Sequence, residues 1–184
     1  MSEIKKYRRD QGKVTNAYQS QSEVLRRERN LIRQLLNHEG FDRITGSASY
    51  IGNLRGSKAS DAENMLYGIR QLEFISNYQR IKQAGGGFGS FTEKEGDRLE
   101  QMAAVLDDKQ SEEQFVKNLM VLDKELEKFE KLDRDKFEDI YGKTDYSATD
   151  LTPLTGKYGN GRGFDSPTER EVASDAEIDA ILGL

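Results

Sequence analysis

Apolar residues recur every seven positions in two long stretches of this 184-residue chain, and this spacing constrains the fold more than any other feature. The first stretch runs from about Ser2 to His38, and the second follows Ser111. A seven-residue repeat puts its apolar side chains on one face of an α-helix, as in coiled coils. The sequence therefore predicts two long helices, each with an apolar seam. The seam residues are Ile4, Val14, Tyr18, Leu25, Ile32 and Leu35 in the first helix, and Phe115, Leu119, Leu122, Leu126 and Phe129 in the second.

Polar residues interrupt the first seam. Gln11, Gln21 and Glu28 occupy seam positions, which weakens a self-sufficient coiled coil. We expect this helix to be stabilised by a partner chain or by packing, and we expect both seams to form contacts between subunits.

Four capping signatures predict further helix starts. Each has a Ser or Thr followed three residues later by Glu or Gln, a pair that satisfies free amides of the first turn. A helix from Ser60 to about Ile81 has a broad apolar face and is expected to be the most buried. The other three signatures begin at Thr92, Ser111 and Ser174.

These elements predict an all-α chain in three parts. Residues 1–39 form a long basic amphipathic helix able to join a coiled coil, and residues 40–142 form a helical bundle with a Gly-rich linker at 85–90. Residues 143–184 form a flexible acidic tail that ends in a short docking helix at 174–183. Its apolar residues, Ile178, Ile181 and Leu182, either bind a partner or fold back on the bundle.

Composition limits the chemistry and the location of the chain. The charged fraction is 33% and the mean hydropathy is −0.82, which is typical of solvated helices around a modest core. Absence of cysteine excludes thiolate catalysis and cysteine metal sites. We see no secretory signal and no apolar run approaching the roughly 20 residues of a spanning helix, so membrane contact is expected to be peripheral or part of an assembly.

Charge is distributed unevenly. Residues 1–38 carry a net charge of +5 and residues 91–142 a net charge of −7. Three interpretations remain open: the two regions attract each other between copies, the basic region contacts phosphate of DNA without base recognition, or both are solvated helix faces. The candidate phosphate contacts are Lys5, Lys6, Arg8, Arg9, Arg26 and Arg27.

No motif predicts catalysis, a metal or a cofactor. The glycine cluster at 85–89 lacks the lysine of a phosphate-binding loop and follows a predicted helix, so it is interpreted as a linker. His38 is the sole histidine, and its position suggests interaction with the end of the first helix. The carboxylates fall mostly at helix ends, where capping explains them, although a carboxylate hydrolase of peptidoglycan remains an alternative.

An ordered series of short segments resembles virion proteins of tailed bacteriophages, in particular DNA ejection (internal virion) proteins. The segments are GFDRITG at 40–46, LRGSKA at 54–59, IKQAGGGFGSFTEKEG at 81–96, LD at 106–107 and SEEQF at 111–115. The resemblance covers roughly residues 40–122. It implies a mostly helical, non-enzymatic protein that leaves the capsid during genome delivery and helps to form a passage across the host envelope.

The chain departs from larger ejection proteins because it is short and has no lysozyme-like or transglycosylase segment. We therefore expect a virion structural protein that oligomerises by helix packing, located in the virion and, during assembly and infection, in the host cell. Its expected partners are other copies and the portal, tail or ejection proteins. The alternative is a portal- or tail-associated adaptor, or a soluble assembly chaperone, that binds its partner through the C-terminal helix.

Overall fold

The computed structural model describes residues 2–45, 56–71, 93–106, 110–144, 146 and 149–155, and in these ranges the chain is helical without a strand. The helices are α1 (Ser2–Asn37), α2 (Lys58–Gln71), α3 (Glu93–Ala104) and α4 (Glu112–Tyr141). A short 3₁₀ turn, Phe41–Arg43, follows α1. The all-α prediction is confirmed, and α1 occupies almost the whole stretch that its seven-residue repeat predicts.

Helix capping is confirmed at α4 and differs in detail at α2. The Ser111 hydroxyl accepts a hydrogen bond from the amide of Gln114 at 3.2 Å, as the signature predicts. Helix α2 begins at Lys58, two residues before the predicted start at Ser60. The cap there is Ser57, whose hydroxyl accepts a hydrogen bond from the amide of Ser60. This bond satisfies one of the free amides of the first turn, which is what an N-cap serine does, so the helix begins at Lys58.

The two apolar seams pack against each other inside one chain. Contacts of Arg26 with Glu130 and of Arg33 with Asp123 show that α1 and α4 run antiparallel. Eight seam residues lie in a single core: Leu25, Ile32, Leu35, Phe115, Leu119, Leu122, Leu126 and Phe129. This corrects the expectation that the seams face other subunits. An intrachain partner is held at a far higher effective concentration than a second copy, so it covers the stripes first.

Helices α2 and α3 complete this core. Ala62, Leu66 and Ile69 of α2 and Leu99 and Met102 of α3 are buried in the same cluster as the seams. Helix α1 therefore shares one core with α2, α3 and α4 rather than standing apart as a separate coiled-coil element.

The turn after α1 closes one end of the bundle. Phe41 and Ile44 are each 1% exposed, and the Phe41 ring lies 5.8 Å from the ring of Phe115. Gly40 contacts the backbone of Lys58 so closely that a β-carbon there would overlap the Lys58 carbonyl and lie 2.9 Å from the amide nitrogen of Ala59. The glycine is required by this approach of two backbones.

Aromatic stacking closes the opposite end. Tyr18 is buried, and its ring stacks on Phe137 with 4.3 Å between the centroids. Val14, one turn earlier, is partly buried, whereas Ile140, beyond Phe137, is 61% exposed. The seam therefore continues along α4 as far as Phe137.

Several predictions fall outside the described residues. These are the end of the second predicted helix at 72–81, the Gly-rich linker at 85–90, the start signature at Thr92 and the docking helix at 174–183 with Ile178, Ile181 and Leu182. Ile4 lies in α1, but its side chain is also outside the description.

Candidate interaction surface on helix α1

An arginine network joins α1 to α4. Arg26, Arg29 and Arg33 lie three to four residues apart on one face of α1, opposite Asp123, Glu127 and Glu130, which have the same spacing on α4. The Arg29 Nε lies 2.9 Å from Asp123, its Nη1 lies 2.8 Å from Glu130, and its Nη2 lies 3.2 Å from Glu127. We call these six residues the arginine network.

Arg29 is the centre of the network, since it is only 2% exposed. Burial by itself would lower the pKa of the Arg29 guanidinium, but Asp123, Glu127 and Glu130 together outweigh burial and raise that pKa above its usual value. Arg29 therefore stays charged, and three carboxylates of opposite charge surround it.

The arginine network shows how part of the unevenly distributed charge is used. Basic α1 and acidic α4 attract each other within one chain, at least through these six residues. Arg26 was predicted to contact phosphate, but it pairs with Glu130 at 2.5 Å and is partly buried. Arg27 is exposed beside a groove, and the side chains of Lys5, Lys6, Arg8 and Arg9 lie outside the described part of the chain.

Residues 149–155, called the strap below, lie along α1 instead of forming a free tail. Their contacts use the polypeptide backbone of the strap and the side chains of α1. Asn30 donates from Nδ2 to the carbonyl of Asp150 at 3.3 Å and accepts from the amide of Thr152 at 2.6 Å. Asn37 repeats this arrangement with the carbonyl of Pro153 at 2.9 Å and the amide of Thr155 at 2.8 Å. The expected flexible tail is thus corrected for the strap.

Glu23 forms the first contact of the same row. Its carboxylate accepts from the hydroxyl of Thr149 at 2.8 Å and from the hydroxyl of Tyr146. The hydrogen bond from Tyr146 lowers the pKa of Glu23, and hydrogen bonds from Thr149 add to the effect. The pKa of Tyr146 is raised, first by burial and then by the hydrogen bond to Glu23.

The spacing of these contacts follows from elementary helix and strand geometry. Glu23, Asn30 and Asn37, called the ladder below, are seven residues apart, which is about 10.5 Å along a helix. Thr149, Thr152 and Thr155 are three residues apart, which is about 10 Å in an extended chain. The two repeats match, so each ladder residue meets an equivalent tripeptide of the strap, and helix and strap run in the same direction.

Apolar contacts hold the strap in place between the hydrogen bonds. Leu154 packs against the main core, and Leu151 is half-buried. The ring of Tyr146 meets Tyr18 edge-on at 6.1 Å, just before the strap begins. Arg33 links the strap to the arginine network, since its Nη1 donates to the carbonyl of Thr152 at 3.5 Å.

A groove of 720 Å³ runs beside the strap between α1 and α2. Val24 and Leu31 form its apolar part, Thr149 of the strap lies at one wall, and Tyr67 of α2, 66% exposed, lies at the other. Gly68 keeps α2 close to α1, since a β-carbon there would lie 3.1 Å from Leu31.

The single histidine has a local role. The amide of Gly40 donates to Nδ1 of His38 at 3.0 Å, so the imidazole helps to end α1. The described residues contain no group of three or more His, Asp or Glu side chains placed to hold a metal ion. Among the described helices, none is long and apolar enough to cross a membrane.

Fold and surface together define a class: an all-α protein whose described helices share one apolar core and whose first helix binds the chain's own strap through backbone hydrogen bonds. Neither protein-family models, nor curated proteins, nor solved structures give a match to this chain.

Sequence reasoning did not identify the ladder or the strap. The signal is present in two repeats: Asn16, Glu23, Asn30 and Asn37 recur every seven residues, and Thr149, Thr152 and Thr155 recur every three. Alone, the first row is typical of a solvated helix face and the second of a turn-rich tail. The hydrogen-bond partners of each row belong to the other row, so neither row by itself indicates the contact.

Proposed function

We propose that the chain is a structural protein of a tailed-bacteriophage virion, of the DNA ejection (internal virion) kind, which acts by association in several copies rather than by catalysis. The observation that carries this proposal is that described residues from four of the five segments resembling such proteins lie together at one end of the bundle.

The contacts between these segments are specific. Gly40, in the first segment, allows the backbone to approach Lys58 in the second. Phe41, in the first, packs its ring near Phe115, in the last. Leu106, from the fourth, is fully buried in the same core. The resemblance therefore follows the residues that build this end of the bundle.

The ladder supports a function based on association. Two of its three residues, Asn30 and Asn37, bind main-chain amides and carbonyls, which every polypeptide has. The apolar seams are enclosed in the core, so contact with portal, tail or ejection proteins would use surface elements such as the groove between α1 and α2.

Mass spectrometry of purified particles tests the proposal. Particles released by the organism that encodes this chain should contain it, in a copy number that reflects a ring or a cluster. A particle preparation with complete coverage of the other virion proteins and no peptide of this chain would exclude the virion function.

An adaptor or assembly chaperone is the second candidate, and the strap favours it. Asn37 binds Thr155, so the last described residue before the predicted docking segment is held at the end of α1. Deletion of residues 170–184 separates the two functions. Loss of partner binding with intact association of copies favours the adaptor, whereas normal particle assembly with loss of packaging or infectivity favours ejection.

A further inference from the structure

We infer that the ladder on α1 is an intermolecular docking site, and that its occupant in the assembled state is the strap of a second copy. This inference deepens the proposed function and rests on it, because it names the surface through which several copies associate. In the isolated chain the same site holds the chain's own strap.

The ladder is suited to exchange because it recognises backbone. Asn30 and Asn37 each form a donor–acceptor pair with main-chain atoms, so a strap from another copy makes the same hydrogen bonds as the chain's own strap. Exchange of an identical element between copies costs little, since every contact that is broken is remade.

The strap is also the described element that opens most easily. Thr149, Asp150, Pro153 and Thr155 are exposed, and the hydrogen bonds of Asn37 to the strap are exposed as well. Elements with few buried apolar contacts and exposed hydrogen bonds open well before the core does. The strap follows Gly142, the C-cap of α4, where a φ of +87° turns the chain out of the helix and a glycine can change conformation at little cost.

A second copy is the occupant that the structure supports, for two reasons. Among the described residues, the sequence that occupies the ladder is 149–155, in which two residues separate Leu151 from Leu154. Every copy of the chain carries this sequence. In addition, the seams that might otherwise join copies are enclosed in the core. Because a tethered strap has an effective concentration in the millimolar range, exchange is expected when copies reach about that concentration, as in an assembled ring.

Cross-linking of full-length chains tests the inference. The sequence has no cysteine, so only the introduced cysteines react with the cross-linker. Two variants, Gln34→Cys with natural isotopes and Thr152→Cys with ¹⁵N, are mixed at about 1 mM and treated with a short bismaleimide. Gln34 and Thr152 line the same surface depression. The double variant in one chain calibrates the reagent, and Glu100→Cys on exposed α3 replaces Gln34→Cys as a control for random collisions.

Exchange predicts a mixed-isotope dimer linked between residues 34 and 152, well above the residue-100 control. In an Asn30→Ala/Asn37→Ala background, four side chain–backbone hydrogen bonds are lost from the closed and the exchanged form alike, so the strap detaches in both. The link between residues 34 and 152 should then fall toward the residue-100 control, both between chains and within the double variant. Circular dichroism of that background should be unchanged because both asparagines lie on the surface.

Two results overturn the inference, and they are distinguishable. Copies that associate but cross-link 34 to 152 only within a chain exclude strap exchange and leave the proposed assembly function intact. A chain that stays monomeric at every concentration excludes both. Absence of the chain from purified particles excludes the virion function alone.

Discussion

Replacing the buried arginine at the centre of the arginine network provides a strong test of how the bundle is held together. Arg29→Ala removes a guanidinium that is 2% exposed and leaves Asp123 and Glu130, both largely buried, without their central partner. Breaking a buried ion pair from one side typically costs about 3–5 kcal/mol of the free energy of unfolding. We expect a loss in that range, because two of the three facing carboxylates are poorly solvated.

Urea unfolding followed by circular dichroism measures this loss. With a denaturant slope of about 2 kcal/mol per molar urea, the unfolding midpoint should fall by about 1.5–2.5 M. The matched control is Lys58→Ala, which removes a pair with Glu39 whose two side chains are 64% and 73% exposed, and which should cost at most about 1 kcal/mol.

A third variant separates loss of the pair from loss of packing. Arg29→Met combined with Asp123→Leu and Glu130→Leu replaces charges with apolar side chains on both helices, and should recover most of the stability lost in Arg29→Ala. If Arg29→Ala costs no more than Lys58→Ala, the network is not a buried determinant of the α1–α4 packing, and the reasoning fails.

Three further predictions concern the ends of the helices. Gly40→Ala should lower the free energy of unfolding by about 3 kcal/mol or more, because the added β-carbon overlaps the backbone at the start of α2. Gly12→Ala is the control: it has open space in α1 and should raise the free energy of unfolding by up to about 1 kcal/mol. Thermal unfolding of both variants measures the two changes. Ser111→Ala should cost about 1 kcal/mol in the same assay, and no loss would mean that this cap is not formed in solution. Tyr146→Phe should raise the pKa of Glu23 toward its usual value in an NMR titration. Because the pKa of Glu23 is lowered in the folded chain, the stabilisation that this carboxylate provides is present above the ordinary glutamate pKa and is lost as pH falls through the lowered value. If the titration of Glu23 is unchanged in Tyr146→Phe, the contact between the two side chains is contradicted.

Local patterns in the sequence predicted the helices well. The seven-residue repeat of α1 and the Ser111 signature of α4 depend on neighbours within two turns, and such short-range preferences are legible without a structure. The repeat also selected the residues of the core. It could not say which surface covers them, because an apolar stripe looks the same whether its partner is in the same chain or in another.

Long-range pairings were not predictable from one sequence. The arginines at 26, 29 and 33 match carboxylates about 100 residues away, so their spacing suggests a basic face until α4 is placed against α1. The same holds for Asn30 and Asn37, whose partners belong to a segment that composition describes as a tail. The contact of Gly40 with the backbone of Lys58 also depends on how two elements meet, so no local pattern indicates it.

The central claim is that both apolar stripes close within one chain and that copies associate through the ladder. The concentration dependence of thermal unfolding for Leu122→Ala tests it most directly, since Leu122 is fully buried in the seam of α4. The account predicts a loss of about 2–5 kcal/mol that is the same at low and high chain concentration, because the cavity lies inside a single chain. The contradicting result has two parts: Leu122→Ala dissociates an assembly into folded monomers, and the unfolding temperature varies with concentration only in the wild type. The stripes would then be contacts between subunits, and the account would be wrong.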